Sequence, residues 1–522
     1  MQLAAFDFAA TRALPDWRRN LRWPLMIGEL RDAGEKLAQK LAALGHGLSE
    51  SIDGKAVLLA GPVLIGQALI AMEAAWSLER TQAEGLQMAS EAEEVVFLRG
   101  ERDLPPAQGF RRVPQQKAKL ERLLRQYART ASWTAPYTLP GTLLKPQAFA
   151  VNHNALLRQV ARRSGRRVLF QDGDHLLLSA RAKVATPPEA PSALVNKIVD
   201  IMVALVPVHG VLAERLRSAL LAKVGFHLAQ AYLDLQALQD FPLPALELWS
   251  GTAGNRVSRA LAFTVKARGG DVRVFDHGGS TGMLASGALL GLTEGAATDR
   301  FYALSSGLAA MCREGPLGRE IARYRALDFA DGGGDPHIRA LDARPPQRRN
   351  GRPRVMLVTG AYLGHRQINP PLPRDPVYLD WHMRLVETLQ SLPVDLVLKP
   401  HPEGLFRGQP HPLAQLGPVL TTPFEASLAE ADVLLFDFPL STTFWTAMCS
   451  RHPIVFADIG VAPLNDAVMN MIGQRCVLPP VVWNERGLPD IQRDILGDAI
   501  SRALSAPVQA EAFRELYLRT DS

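Results

Sequence analysis

Residues 354–360, RVMLVTG, decide the fold together with VDLVLKP (394–400), DVLLFDF (432–438) and PIVFAD (453–458). Each is a short, β-branched, near-continuous apolar run, the pattern of a strand covered on both faces. Between them lie the helical patterns VYLDWHMRLVETLQSL, FEASLAEA and STTFWTAMCSR. Strand and helix in alternation predict a parallel, doubly wound sheet.

Upstream, the stretch 331–354, DGGGDPHIRALDARPPQRRNGRPR, crowds Gly, Pro and Arg and keeps no apolar period, so it reads as a linker. Before it, ALELWSG (245–251), a helix through VSRALAFTVKARGG, and DVRVFDHGG (271–279) make one strand–helix–strand unit. KAVLLAG, EEVVFLRG (93–100) and RRVLFQDG (166–173) are further strand candidates, the first turning into a helix at Gly61-Pro62. Residues 188–240 read as a helical insertion. The expectation is an α/β chain of two Rossmann-like domains. The first spans 1–330 and carries the insertion; the second spans 355–522; the linker 331–354 joins them. No internal repeat at solenoid periods and no low-complexity tract interrupts the pattern.

A chain of 522 residues exceeds one core, and 47% hydrophobic with 21% charged residues is ordinary globular composition. The formal charge of +6 is gathered in early runs. These are Arg18, Arg19 and Arg22 between Trp17 and Trp23; Lys117, Lys119, Arg122, Arg125 and Arg129; and Arg158, Arg162, Arg163, Arg166 and Arg167. Such runs attract phosphates, anionic glycans or a lipid surface, or are simply solvated helix faces. They lack the interleaved aromatics of a nucleic-acid platform, so no nucleic-acid partner is expected. Three widely spaced cysteines make neither a disulfide framework nor a zinc set. The first residues lack the pattern of a secretion signal, and the apolar stretch 56–72 is broken by Gly61-Pro62. A cytoplasmic location is expected, with peripheral contact to an anionic inner membrane through Trp17–Trp23.

In open parallel sheets, ligands bind beyond the carboxyl ends of the strands. After VDLVLKP comes His401-Pro402-Glu403-Gly404, with Lys399 at the strand end. An imidazole there can hydrogen-bond a phosphate and stabilise it as a leaving group. Two other His-Pro pairs, His411-Pro412 and His452-Pro453, lack this context. After DVLLFDF come Ser441, Thr442 and Thr443 at a helix start, which cap backbone N–H groups or hold a phosphate. Glu425, in the first turn of FEASLAEA, is either a first-turn carboxylate or the holder of a ribose hydroxyl pair. Gly360 closes RVMLVTG at the same edge. After DVRVFD come His277, Gly278 and Gly279; Asp276 or His277 could take a proton from a hydroxyl, or Asp276 could cap the turn. The glycines would let a substrate approach the backbone. Asp172-Gly173-Asp174 mimics a metal-holding Asp-x-Asp but reads better as a hairpin turn. The chain has no P-loop, no G-x-G-x-x-G after a strand and no H-E-x-x-H, so no metal site is expected.

The K-P-H-P segment, the Ser-Thr-Thr helix start and the Asp-His-Gly of the first half resemble the HP-motif glycosyltransferases of GT-B fold. That family includes the CMP-sugar-dependent sialyltransferases and Kdo transferases of bacterial surface polysaccharides. More loosely, the same segments resemble the CDP-glycerol glycerophosphotransferases. The resemblance covers roughly 245–460. It implies parallel sheets facing across a cleft and metal-independent, inverting transfer of an acidic sugar from a CMP donor to a glycan or glycolipid. It requires no cofactor beyond the nucleotide sugar. By the same resemblance His401 receives the leaving phosphate, and Ser441 and Thr442 complete its site. Asp276 is the base, or His277, which stands where an acid is usual. The alternatives are a CDP-polyol phosphotransferase and a non-catalytic sugar-nucleotide or glycan-binding component.

Overall fold

The four apolar runs lack polar alternation because both faces of their sheet are covered. In the computed structural model, which describes residues 3–5, 8–89, 145–186, 188–341, 351–364, 368 and 370–520, they form strands of one parallel sheet. Two short strands, β1 (Leu3–Ala5) and β2 (Gln87–Ala89), pair in parallel at the start of the chain. The first large sheet contains β3 (Ala148–Val151), β4 (Val168–Phe170), β5 (Glu247–Ser250), β6 (Asp271–Phe275), β7 (Arg300–Ala303) and β8 (Asp328–Asp331). Its order is β4-β3-β5-β6-β7-β8, all parallel. The second contains β9 (Arg354–Val358), β10 (Asp395–Lys399), β11 (Val433–Phe436) and β12 (Ile454–Phe456) in the order β10-β9-β11-β12. An antiparallel pair, β13 (Val482–Trp483) and β14 (Pro489–Asp490), follows. Along β9, Val355 and Leu357 join one apolar cluster while Met356 and Val358 join another, so every apolar position is buried.

Both sheets reverse direction once. The chain leaves β3 for β4 on one side and returns to β5 on the other; it does the same from β9 to β10 and back to β11. The crevices at β3/β5 and β9/β11 are therefore the topological switch points, where open α/β sheets take their ligands. The helices Ser192–Val203 and Gly210–Gln239 supply the expected insertion, crossing from β4 to β5.

Three local expectations are corrected. KAVLLAG is not a strand: the helix Ile52–Glu84 runs through it and past Pro62, capped by Ser51. An internal proline costs a helix roughly 3 kcal/mol, but burial of residues all around this helix outweighs it. The helix is long and apolar enough to cross a membrane, yet 78% of its most apolar window is buried inside the protein. Asp172-Gly173-Asp174 is not a hairpin turn, since β4 runs parallel to β3; Asp172 caps the helix Gly173–Arg181, accepting from the His175 N–H at 3.2 Å. The start of the stretch 331–354 is ordered, because the helix Pro336–Ala340 is capped by Asp335, whose N–H donates to the Tyr517 carbonyl. EEVVFLRG, the basic run from Lys117 to Arg129, and residues 342–350 lie outside the described residues.

The carboxyl edges of the two sheets face one another. The loop after β6 and the loop after β12 pair at Leu284 and Leu464; the Ala285 N–H donates to Pro463 (2.8 Å) and the Asn465 N–H to Met283 (2.9 Å). The last helix, Glu511–Leu518, returns to the first sheet: the Ser306 N–H donates to the Arg519 carbonyl and the Tyr517 hydroxyl to that of Gly279. The N-terminal segment also spans both halves. Arg18 pairs with Asp380 and Glu387, the Trp23 N–H donates to Arg486, and Arg31 donates to the Gly460 carbonyl. Glu73 on the long helix forms a fully buried ion pair with Arg374. Trp23 is buried, Trp17 packs against both apolar clusters, and Arg22 pairs with Glu84, so Trp17–Trp23 works as an internal strap.

Candidate functional site

Lys399 ends β10 and the chain then turns through Pro400 and His401. The Glu403 N–H donates to His401 Nδ1 at 3.1 Å. An N–H can only donate, so in the neutral ring Nδ1 is bare and Nε2 carries the proton. The Glu403 carbonyl oxygen also lies 3.3 Å from Nδ1. The turn thus engages Nδ1 and leaves Nε2–H free of the turn. Lys399 is buried, with Nζ 3.4 Å from the Leu420 carbonyl. Burial pushes its pKa below the usual lysine range, and the neighbouring Glu425 carboxylate opposes that shift. Lys399 and Glu425 are therefore brought together beside the His401 turn.

That turn rests on a buried network that sequence reasoning did not single out. Asp437 follows β11 and is completely buried. Its Oδ1 accepts from the Tyr378 hydroxyl (3.1 Å), and its Oδ2 accepts from Trp381 Nε1 (2.9 Å) and His382 Nε2 (2.8 Å). With Nε2 donating, His382 Nδ1 accepts from the Tyr362 hydroxyl at 2.6 Å. The Tyr362 carbonyl in turn accepts from the Leu405 N–H (2.8 Å), and its ring packs against Phe406 and His411. Gly404 must be glycine: its φ is +107°, and a Cβ would stand 2.5 Å from the Tyr362 carbonyl oxygen. Burial, and secondarily the nearby carboxylates, push the Tyr362 and Tyr378 phenols well above their usual range. Burial and His382 lower His411 to about 4. Gly360 joins the same network, its N–H donating to the Tyr378 hydroxyl at 3.2 Å. The network therefore ties the β9/β11 switch point to the His401 turn.

Ser441 caps the helix Thr442–Met448, its hydroxyl accepting from the Phe444 N–H at 3.1 Å. Thr442 is exposed and Thr443 half-buried at the same helix start. On the first sheet, Asp276 is 3% exposed and its Oδ1 accepts from the Gly278 N–H (3.1 Å), the Gly279 N–H (3.3 Å) and the Thr281 hydroxyl (3.0 Å). His277 is exposed. Gly279 has φ +70°, and a Cβ there would meet the Tyr517 ring at 2.7 Å. Its small size thus admits the returning C-terminal helix. Asn154, also unforeseen, clamps this edge: its Nδ2 reaches the carbonyls of Gly251 (2.8 Å), Phe275 (3.0 Å) and Asp276 (3.0 Å).

Asp437 stood in plain view at the end of DVLLFDF, and the strand-end rule alone would have raised it. Tyr362 and His382 carry no spacing signal, because one lies in a loop and the other on the helix Asp375–Gln390. Among the described residues, no group of three or more His, Cys, Asp or Glu side chains is placed to hold a metal ion.

No protein-family model matches the chain, and no curated protein matches it. Among solved structures it is similar to the spinosyn forosaminyltransferase SpnP, at 13% identity and a TM-score of 0.34, over 72% of this chain and 96% of that one.

Proposed function

We propose that the protein is an inverting glycosyltransferase that moves an acidic sugar, Kdo- or sialic-acid-like, from a CMP donor to a glycan or glycolipid acceptor without a metal. The observation that carries this reading is the His401 turn, with Nδ1 held by the backbone and Nε2–H available to a phosphate at a strand's carboxyl end. In the reaction, the acceptor hydroxyl gives its proton to a base on the first sheet and attacks the anomeric carbon. The bond from that carbon to the CMP phosphate breaks, and the phosphate takes its negative charge toward His401 Nε2–H, with Lys399 behind it. Thr442 and Thr443 would hold the remaining phosphate oxygens, and Glu425 the ribose. Because Oδ1 of Asp276 is committed to its own turn, the base role falls better to the exposed His277. A histidine before the glycine also favours the second reading, a CDP-polyol phosphotransferase.

A thermal-shift panel of CMP, CDP, UMP, UDP, GDP, ADP and NAD, each with EDTA and with magnesium, separates the readings on wild type and His401→Ala. A ligand at about 100 times its Kd adds about 2.7 kcal/mol to the native state. CMP is expected to stabilise the wild type in EDTA and to lose that effect in the variant. A stronger response to CDP moves the reading to the phosphotransferase, and a response to UDP or GDP alone overturns the donor class. Silence from every nucleotide makes the protein a non-catalytic binding component.

A further inference from the structure

The helix Ala155–Ser164 connects the Asp276 turn to a second site. At its start Asn154 holds the carbonyls of Phe275 and Asp276; near its end Arg163 and Ser164 line a cavity of about 540 Å³. At a rise of 1.5 Å per residue, the two ends of that path lie roughly 13 Å apart. The lining also includes Arg339, from the short helix after β8, and Thr520. Tyr302 lines it as well, its ring stacked on Phe275 at 4.7 Å between centroids.

Arg163 and Arg339 converge from different elements on one atom, the Gly333 carbonyl oxygen, at 3.5 and 3.1 Å. Neither guanidinium pairs with a carboxylate among the described residues. Each has five N–H donors, so one shared carbonyl leaves most of the donor capacity of both groups uncommitted at a cavity that they line. Asp331 also lines the cavity, but its Oδ1 accepts from the Gly333 N–H at 2.7 Å, and one carboxylate opposes two cations. Guanidinium groups suit carboxylates and phosphates by geometry as well as charge. Tyr302 and Thr520 also line the cavity, an aromatic ring and a hydroxyl that a sugar can contact.

We propose that this cavity binds an anionic saccharide, with Arg163 and Arg339 holding its carboxylate or phosphate. Its place on the helix that clamps the β6 end makes it the subsite for an acceptor glycan whose charged residue lies a few sugars from the reacting hydroxyl. The acceptor assignment rests on the transferase reading above; binding of an anionic saccharide does not.

Isothermal titration of the full chain at low salt tests the proposal with glucuronic acid, glucose 6-phosphate, neutral glucose and inorganic phosphate. At least one of the two anionic sugars is expected to bind ten-fold or more tightly than glucose. Arg163→Ala/Arg339→Ala is expected to lose at least ten-fold, while Arg163→Lys/Arg339→Lys, which keeps the charge, recovers part of the loss. His401→Ala is expected to bind the sugar as the wild type does. The proposal is overturned if glucose matches both anionic sugars, or if the double alanine variant binds unchanged. Inorganic phosphate binding as tightly as glucose 6-phosphate overturns the saccharide part, leaving a bare anion site. A silent nucleotide panel beside a positive sugar titration overturns the transferase reading and leaves this site standing.

Discussion

The carboxyl ends of β6 and β10 carry similar residues to opposite uses. At β6, the acid of Asp276-His277-Gly278-Gly279 is buried and folds back on its own turn, with three donors on one oxygen. At β10, the imidazole of Lys399-Pro400-His401 is held from behind by one backbone N–H, and its other nitrogen is left outward. The first turn spends its functional group on structure. The second is backed by a deeper carboxylate, Asp437, through His382, Tyr362 and the Leu405 N–H. A strand-end motif therefore reveals chemistry only when the source of its backbone support is known.

The largest effect should come from that support. Asp437→Ala leaves the buried donors of Tyr378, Trp381 and His382 without their acceptor, a loss of about 3–5 kcal/mol in denaturant unfolding. Faster deuterium uptake across 401–406 is expected to accompany it, because Tyr362 holds that turn through Leu405. Destabilisation with unchanged uptake would show that the network supports the sheet and not the His401 turn.

The β6 half of the comparison breaks or holds on two substitutions. Asp276→Ala strands two backbone N–H groups and the Thr281 hydroxyl, costing about 2–3 kcal/mol. Asp276→Asn keeps an acceptor oxygen and should cost less than about 1 kcal/mol. Equal stability of both variants with the wild type, joined to equal loss of transfer, would return Asp276 to the role of base.

Acid should act on both halves, through His411 in the β10 half and His46 against Tyr324 in the first. Burial holds His411 near 4, and His46, stacked on Tyr324, also near 4. Between the usual histidine value and 4 the unfolded chain binds these protons and the folded chain does not, so stability is full above about pH 6.5 and falls toward pH 4. His411→Asn should flatten that slope by roughly 1–2 kcal/mol at pH 5, measured as the shift in urea midpoint between pH 7 and pH 5. An unchanged slope would mean that His411 protonates in place.

The strands that form the second sheet were legible because each holds a short apolar run, and β5 and β6 were legible from the strand–helix–strand unit that they bound. AFAV, which becomes β3, was missed: it is too short, and half alanine, to stand out from its surroundings. KAVLLAG misled because a glycine–proline pair usually ends a helix, and only packing from all sides reverses that preference. The strand end before His401 and the Ser441 cap were legible since strand ends and helix starts are local. The load on Asp437 was not, because hydrogen bonds between a strand end, a loop and a helix leave no period in the sequence. Arg163 was read as one of a charged run; only the fold sets it opposite Arg339, 176 positions along the chain.

The smallest effect concerns the hydroxyls at the start of the helix after β11, and it separates capping from ligand binding within one short segment. Ser441 accepts from the Phe444 N–H, so Ser441→Ala should cost about 1 kcal/mol of stability. Thr442 is exposed and outside that cap, so Thr442→Val should change stability by less than about 0.5 kcal/mol. If the helix start binds the donor phosphate, Thr442→Val instead weakens the nucleotide several-fold in the same thermal-shift assay, an effect the cap cannot produce. Should Thr442→Val bind nucleotide as the wild type does while Ser441→Ala loses stability alone, this helix start would be structural like the β6 turn. His401 and Lys399 would then carry the phosphate without it.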